Sequence, residues 1–405
     1  MNWALKLQFG GEGLNVPELR FPEFVGEWEE KKLNEISVVN PKSDDLPDKF
    51  LYIDLGSVSN GMLGKKKHIT KEKAPSRAQR VLKNNDIIYQ TVRPYQKNNL
   101  FFLNKDSEQY VASTGYAQIR TKEYPKFIYH FIHSDKFVNK VLARCTGTSY
   151  PAINSKDLGQ IKIDVPSHIE QKKIAAFISK IDGKIEKLKK KEKLWNNYKK
   201  GILNQLFSQE IRFKDDKGNS YPDWTHEPMG QVANIFKGFT PSTSRSEYWD
   251  GGLFWLSIAD MNQGKYLKKS SKTISEKGCE NKRIIPKNSL VMSFKLTLGR
   301  LGILKTDMYS NEAICNFEWK QDIITEYMYY YLSSIDIRTF GSQAAKGITL
   351  NNDSLNSIIV KIPFKQEQIK IAQFLSAIDQ KIGNISKEIN INSDFKKGLL
   401  QQMIP

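Results

Sequence analysis

At 405 residues the chain has room for two to four domains, and 62 Lys and Arg against 44 Asp and Glu give it a net charge of +18. That surplus points to a polyanionic partner, nucleic acid first, against the blander reading of a solubilising lysine surface; a membrane is disfavoured, because no basic helix has a matching Trp/Phe face and no apolar run nears the ~20 residues of a span. Cys145, Cys279 and Cys315 are odd in number and far apart, and the start lacks an apolar signal stretch, so the expectation is a cytoplasmic protein with reduced thiols.

Residues 1–15 read as a tail. From 16 to 165 the pattern is a mixed α/β unit of short strands, turns and an aromatic helix. Leu19-Arg20-Phe21 leads through Pro22 to Trp28, and Tyr52-Ile53-Asp54-Leu55 runs into the turn Asn60-Gly61. Ile87-Ile88-Tyr89-Gln90 follows the polar turn Asn85-Asp86, and Phe127, Tyr129 and Phe131 mark a helix within 125–142. A long helix is predicted over 166–209. Residues 210–362 then repeat the first unit in weaker form: Ile211-Arg212-Phe213 with Pro222 and Trp224, Trp255-Leu256-Ser257-Ile258 with Gln263-Gly264, Leu290-Val291-Met292-Ser293 after Asn288-Ser289, and Tyr327, Tyr329 and Tyr331 within 325–340. A second long helix is predicted over 363–405.

The repeat is sharpest at the helix starts. Pro166-x3-Glu170-Gln171-x2-Ile174-Ala175-x-Phe177-Ile178-x2-Ile181-Asp182 recurs 197 residues later as Pro363-x3-Glu367-Gln368-x2-Ile371-Ala372-x-Phe374-Leu375-x2-Ile378-Asp379. Duplicated units tend to dock about a pseudo-two-fold axis and present two similar surfaces, which suggests that two sites are read at once. Ile174, Ile178, Ile181, Ile185 and Leu188 in the first helix, and Ile371, Leu375, Ile378, Ile382 and Ile385 in the second, alternate steps of three and four. That is a coiled-coil seam, and two seams of matching length in one chain most simply pair antiparallel. Lys199 and Lys396 interrupt the seams at corresponding places, as register-setting polar residues do. At 1.5 Å per residue such helices are ~57 Å long, more than one turn of B-DNA, and suited to act as a spacer.

Catalytic patterns are missing. There is no Gly-x4-Gly-Lys-Ser/Thr phosphate loop, no glycine-rich dinucleotide or methyl-donor loop after a strand, and Asn40-Pro41 is followed by Lys42 rather than by the Pro-aromatic pair of an adenine methyltransferase pocket. His130-x2-His133 with Cys145 is better read as packing than as a metal site, because no second ligand pair appears. The chain is expected to be non-catalytic and free of cofactor and metal. Residues suited to nucleic acid lie instead in the divergent centres: Thr91, Arg93, Tyr95, Lys97 and Asn98, then Ser113, Thr114 and Tyr116, then Thr148, Ser149 and Tyr150 in the first unit. Lys295, Thr297 and Arg300, Asn311, and Lys346 with Thr349 correspond in the second. Arg forks onto guanine, Asn onto adenine, and Lys and hydroxyls onto phosphate. For each residue alone an ordinary polar loop explains it as well. The first helix carries eleven Lys against four acids over 170–207, which fits a DNA-facing stripe or a solvated face. A sequence-nonspecific nucleic-acid-binding coiled-coil scaffold remains the alternative.

Two divergent mixed units separated by near-identical long helices, each opened by Pro-x3-Glu-Gln-x2-Ile-Ala-x-Phe-Ile/Leu-x2-Ile-Asp, resemble the DNA-specificity subunit of Type I restriction-modification systems over residues 16–405. The resemblance implies two target-recognition domains, 16–165 and 210–362, each reading one half of a bipartite double-stranded DNA site. It implies that the helices, 166–209 and 363–405, set the unread gap. It further implies assembly with two methyltransferase subunits and with motor-nuclease subunits, which would carry the S-adenosylmethionine, ATP and Mg. The recognition subunit of another restriction system differs only in its partner.

Overall fold

Short apolar runs bounded by Asn, Asp and Gly become strands, and the three-four stripes become helices, in a computed structural model of the chain. The structure describes residues 8–9, 15–43, 45–59, 61–64, 66–295, 297–344 and 347–405, without the side chains of 8–9, 342–344 and 347–349. Most of the expected tail, Asn60 of the first turn, and Lys346 therefore lie outside the described residues. Two units are formed: Met1–Lys190 with Ser386–Pro405, and Lys191–Ile385.

In the first unit, one four-stranded sheet runs in the order Leu100–Phe101, Ile87–Gln90, Tyr116–Thr121, Ser37–Val39, with all pairs antiparallel. A second sheet runs Lys67–Thr70, Lys49–Ile53, Tyr110–Ser113, Ala78–Val81, and its central pair is parallel. Glu29–Lys32 pairs with Lys162–Val165, so the chain leaves the unit beside the point where it entered. The aromatic stretch is two helices, Pro125–Phe131 and Asp135–Leu142, because the Ser134 hydroxyl caps the second by accepting from the Phe137 N–H. In the second unit a five-stranded sheet runs Ala233–Lys237, Ile314–Trp319, Leu290–Ser293, Leu301–Leu304, Tyr266–Leu267, beside a three-stranded one of Lys272–Ile274, Trp249–Leu256 and Tyr309–Ser310. Thr225–Pro228 pairs with Ile359–Ile362, repeating the entry-exit ribbon of the first unit. The aromatic helix is Thr325–Ser334.

The long helices are His168–Phe207 and Lys365–Met403, each beginning two residues beyond its proline. The Glu-Gln pair at each start is a fastener. Glu170 is buried and accepts from Arg20 Nε and Nη2, both at 2.8 Å. Glu367 is buried likewise and accepts from Arg212 Nε at 3.2 Å and Nη2 at 2.8 Å, and from Trp224 Nε1 at 3.0 Å. The glutamines act on the aromatic helices. Gln171 Oε1 accepts from the Tyr124 N–H at 3.0 Å while its amide donates to the Pro166 carbonyl at 2.9 Å. Gln368 does the same to the Ile324 N–H at 2.9 Å and the Pro363 carbonyl at 3.0 Å. Tyr124 and Ile324 precede the first turns of those helices, so each glutamine satisfies a helix N–H that would otherwise be unpaired.

Within each unit the two long helices run antiparallel. In the first, Ile174 and Ile178 share a core with Leu399, Leu400 and Met403, and Lys396 Nζ donates to Asp182 Oδ1 at 2.6 Å. In the second, Leu206 and Phe207 share a core with Ile371 and Leu375, and Lys199 Nζ lies 2.6 Å from Asp379 Oδ1. These are the same bond made twice with the helices exchanged. Each seam lysine reaches the aspartate of the facing helix, which supplies the register that the sequence pattern called for. Ile185, Ile378 and Ile385 are buried, while Ile181, Leu188 and Ile382 are half-buried. Fully burying one such side chain contributes roughly 1.5–3 kcal/mol, so the stripe outweighs the ion pairs in energy and the ion pairs select among registers. Among the described residues no helix is long and apolar enough to cross a membrane.

Candidate nucleic-acid interface

In the first unit two loops are stitched together. The Arg93 N–H donates to the Pro151 carbonyl at 2.8 Å, the Ile153 N–H donates to the Thr91 carbonyl at 3.0 Å, and Val92 bridges Ala152. Arg93 and Lys97 both adopt the left-handed backbone region, at φ +54° and +53°, on either side of the tight turn Pro94–Gln96. A non-glycine residue there is uncommon and costs about 1 kcal/mol or more, so the surrounding bonds must hold it. Arg93 is itself half-buried, with no hydrogen-bond partner for its buried Nε among the described residues, and its guanidinium stacks 4.2 Å over the ring of Tyr150, which is 64% exposed. Tyr95 is 49% exposed beside the same turn, and Thr148 and Ser149 are exposed in the Tyr150 loop. Arg93, Tyr95, Thr148, Ser149 and Tyr150 thus lie on two loops stitched at their bases.

The other candidates of this unit brace those loops or sit in the core. Lys97 Nζ donates to Asp135 Oδ1 at 2.6 Å and to the His133 carbonyl at 2.8 Å. Thr91 is buried and its hydroxyl donates to the Gly115 carbonyl at 2.8 Å. Ser113 is buried and its hydroxyl accepts from the Gly115 N–H at 3.2 Å. Tyr116 is fully buried, its phenol donates to the Asp54 carbonyl at 3.2 Å, and burial raises its pKa. A strand position facing the core explains it, since Tyr116 opens the strand Tyr116–Thr121 that pairs with Ile87–Gln90. Thr114 and Asn98 are half-buried. Gln90, at the end of the strand that leads into these loops, is buried, and its amide donates to the Val92 carbonyl at 2.7 Å and to Gln96 Oε1 at 2.9 Å and so shapes the turn from beneath.

In the second unit Lys295 and Thr297 are exposed on the loop after Leu290–Ser293, and Leu296 between them lies outside the described residues. Arg300 is half-buried, with Nη1 3.4 Å from the Ile258 carbonyl. Asn311 is committed to its own turn: its amide donates to Thr240 Oγ1 at 2.9 Å and Glu312 Oε2 at 2.8 Å, and its Oδ1 accepts from the Ala313 N–H at 2.8 Å. Thr349 lies in the strand Gly347–Thr349, opposite Ser342.

The histidines act in packing. His130 Nε2 lies 3.2 Å from Ser179 Oγ, and His133 Nδ1 lies 2.6 Å from the Tyr129 carbonyl. Burial pushes the His133 pKa down to about 4 and that of His130 well below the usual imidazole value. In the second unit the ammonium of Lys265 donates to Tyr330 Oη and Ser376 Oγ, both at 3.0 Å, and burial pushes its pKa down to about 8. No group of three or more His, Cys, Asp or Glu placed to hold a metal ion is found among the described residues.

Comparison with known proteins gives these loops their context. The family model described as Type I restriction modification DNA specificity domain matches the chain twice, at residues 26–196 and 221–392. The chain is 28% identical over 193 residues to the Type I restriction enzyme MjaIX specificity subunit of Methanocaldococcus jannaschii, covering 46% of this chain and 45% of that protein. It is 19% identical over 397 residues to the Type I restriction enzyme HindI specificity subunit of Haemophilus influenzae, covering 80% of this chain and 83% of that one. It thus spans under half the length of the first relative and over four-fifths of the second. In fold it resembles the S subunit of a Type I restriction-modification system from M. genitalium, with a TM-score of 0.58 at 15% identity over 96% of this chain and 99% of that chain. A chain from a type I R-M system solved for its complex assembly and conformational transition also gives a TM-score of 0.58, at 20% identity over 93% of this chain and 97% of that chain. With the specificity domain matched twice, over most of its length, the chain belongs to the Type I restriction-modification DNA specificity family.

Proposed function

We propose that the chain is the DNA-reading subunit of a Type I restriction-modification complex, in which each globular half reads one half of a bipartite double-stranded site. The observation that carries this reading is the occurrence of one specificity domain in each half of the sequence, 26–196 and 221–392. The surplus of +18 supplies the sequence-independent attraction to phosphate. Arg93, stacked on Tyr150, is the base-reading group of the first half, with Tyr95, Thr148 and Ser149 around it. Lys295, Thr297 and Arg300 are their counterparts in the second half, joined by Lys346 and Thr349. Thr91, Lys97, Asn98, Ser113, Thr114, Tyr116 and Asn311 shape or support these surfaces.

In this reading the paired helices set the unread gap between half-sites. Two methyltransferase subunits bring S-adenosylmethionine and the adenine pocket, and motor-nuclease subunits bring ATP hydrolysis and Mg; this chain contributes sequence choice and no chemistry. A competition assay at one salt concentration tests it. The complex of this chain with its methyltransferase subunits should hold its own bipartite site at least ~10³-fold more tightly than the same half-sites at a wrong gap. A ratio near one would reduce the protein to a nonspecific scaffold.

A further inference from the structure

In the second unit a cavity of about 210 Å³ lies beside the end of the strand Ala233–Lys237, lined by Lys237, Gly238, Phe239, Lys282, Arg283 and Ser310 among others. Three cations line it and no carboxylate does among the described residues. Its deepest polar group is unspent: Ser310 is 1% exposed, and its hydroxyl has no hydrogen-bond partner among the described residues. A buried hydroxyl left unpaired is destabilising unless something in the cavity bonds to it. Gly238 lets the strand end pass directly against Ser310, because a Cβ there would collide with the carbonyl and hydroxyl oxygens of Ser310. The cations are held at the rim by rings: Lys282 Nζ stands 5.4 Å from the centre of Phe239, the Arg283 guanidinium 4.1 Å from Phe236, and Lys237 Nζ 4.9 Å from Phe294. Arg283 also pairs with Glu318 at 2.7 Å, which leaves Lys237 and Lys282 as the lining cations without a carboxylate partner among the described residues.

We infer that this cavity seats a backbone phosphate of the bound DNA, with Lys237 and Lys282 neutralising it and the Ser310 hydroxyl donating to a phosphate oxygen. The inference rests on the DNA-binding reading above and adds to it a positioning contact that carries no sequence information itself. A singly charged, tetrahedral oxyanion suits a pocket of this size lined by cations and a hydroxyl donor. The phosphodiester is preferred to free phosphate as its source, because Lys237, Lys282 and Arg283 are all exposed at the rim, where a long polyanion can reach them.

The test uses the full chain with Lys237→Ala/Lys282→Ala, and Lys268→Ala/Lys269→Ala as a control for loss of two exposed lysines elsewhere in the unit. Binding is measured on target and on random DNA across a salt series. The pocket variant should lose affinity several-fold and equally on both DNAs, and its slope of log K against log salt should become shallower by about 0.9, the value for one phosphate contact. Lys282→Arg should retain the wild-type slope. An unchanged slope in the pocket variant, or an equal drop in the control, overturns the inference. So does stabilisation of the wild type by inorganic phosphate when the variant's DNA affinity and slope are unchanged, since the pocket would then serve a free anion. Target preference retained with an unchanged slope refutes the pocket and spares the specificity reading. A lowered slope in a chain that never prefers one sequence does the reverse.

Discussion

Replacing Glu367 with Gln isolates the fastener at the second helix start. The carboxylate is fully buried and accepts three hydrogen bonds, two from Arg212 and one from the Trp224 indole. The amide keeps the shape, removes the charge, and turns an NH2 group toward donors. Breaking a buried ion pair from one side costs about 3–5 kcal/mol. The lower end applies here, because Arg212 is 22% exposed and also donates to the carbonyls of Tyr221 and Pro222, so its charge is not stranded. In a unit of about 195 residues, Lys191–Ile385, each kcal/mol moves the melting temperature by ~2–4 °C, giving a fall of ~6–12 °C. Two units need not unfold together, so the melt is followed through tryptophan emission, to which Trp224 beside the lesion contributes, with amide exchange over 208–228 as the local reading. Arg212→Met/Glu367→Leu should recover part of the loss, since the apolar pair strands no charge and leaves the Trp224 indole N–H as the buried donor without its acceptor. If E367Q melts within 1 °C of wild type with unchanged amide protection, the glutamate is not a fastener and its burial needs another cause.

Three further outcomes are expected. Arg93→Ala should cost about 1–3 kcal/mol on the target site and far less on random DNA in a binding titration, whereas equal losses would assign it to phosphate or to folding. Lys396→Glu should lower stability to denaturant by only about 1 kcal/mol, because the pair with Asp182 is partly exposed, and Asp182→Lys with Lys396→Glu should restore it. Inserting seven residues after Leu188 keeps the apolar face in phase and lengthens the first helix by ~10 Å, so the preferred gap should grow by about three base pairs or fewer; inserting two turns the stripe by ~200° and should lower the folded yield. An assembled heptad variant that keeps the original gap would remove the helices as spacers.

Much of the architecture is legible because it depends on local pattern. Ile87–Gln90 and Leu290–Ser293 are strands as their apolar runs and preceding turns require, and the three-four stripes run through the two longest helices. What the pattern hides is contact at long range. The Glu-Gln motif is visible as a repeat, yet its work depends on Arg20 and Arg212, which lie 150 and 155 residues away. The seam lysines are visible as interruptions, but their aspartate partners lie on the facing helix. Tyr116 has the composition of a loop contact and the environment of a core strand, because which face of a strand is buried is decided by the sheet and not by the residue. The left-handed turn that holds Arg93 carries no glycine to announce it, and the cavity around Ser310 gathers residues from three distant segments.

The most direct test of the account exchanges residues 22–162 for the first recognition domain of another member of the family. The exchanged chain is expressed with its methyltransferase subunits, and methylated adenines are mapped across the host DNA. Half-sites read independently predict that one half of the methylated sequence changes while the half assigned to residues 214–360 persists. A change in both halves, or in neither, would contradict the claim that each globular half reads its own part of the target.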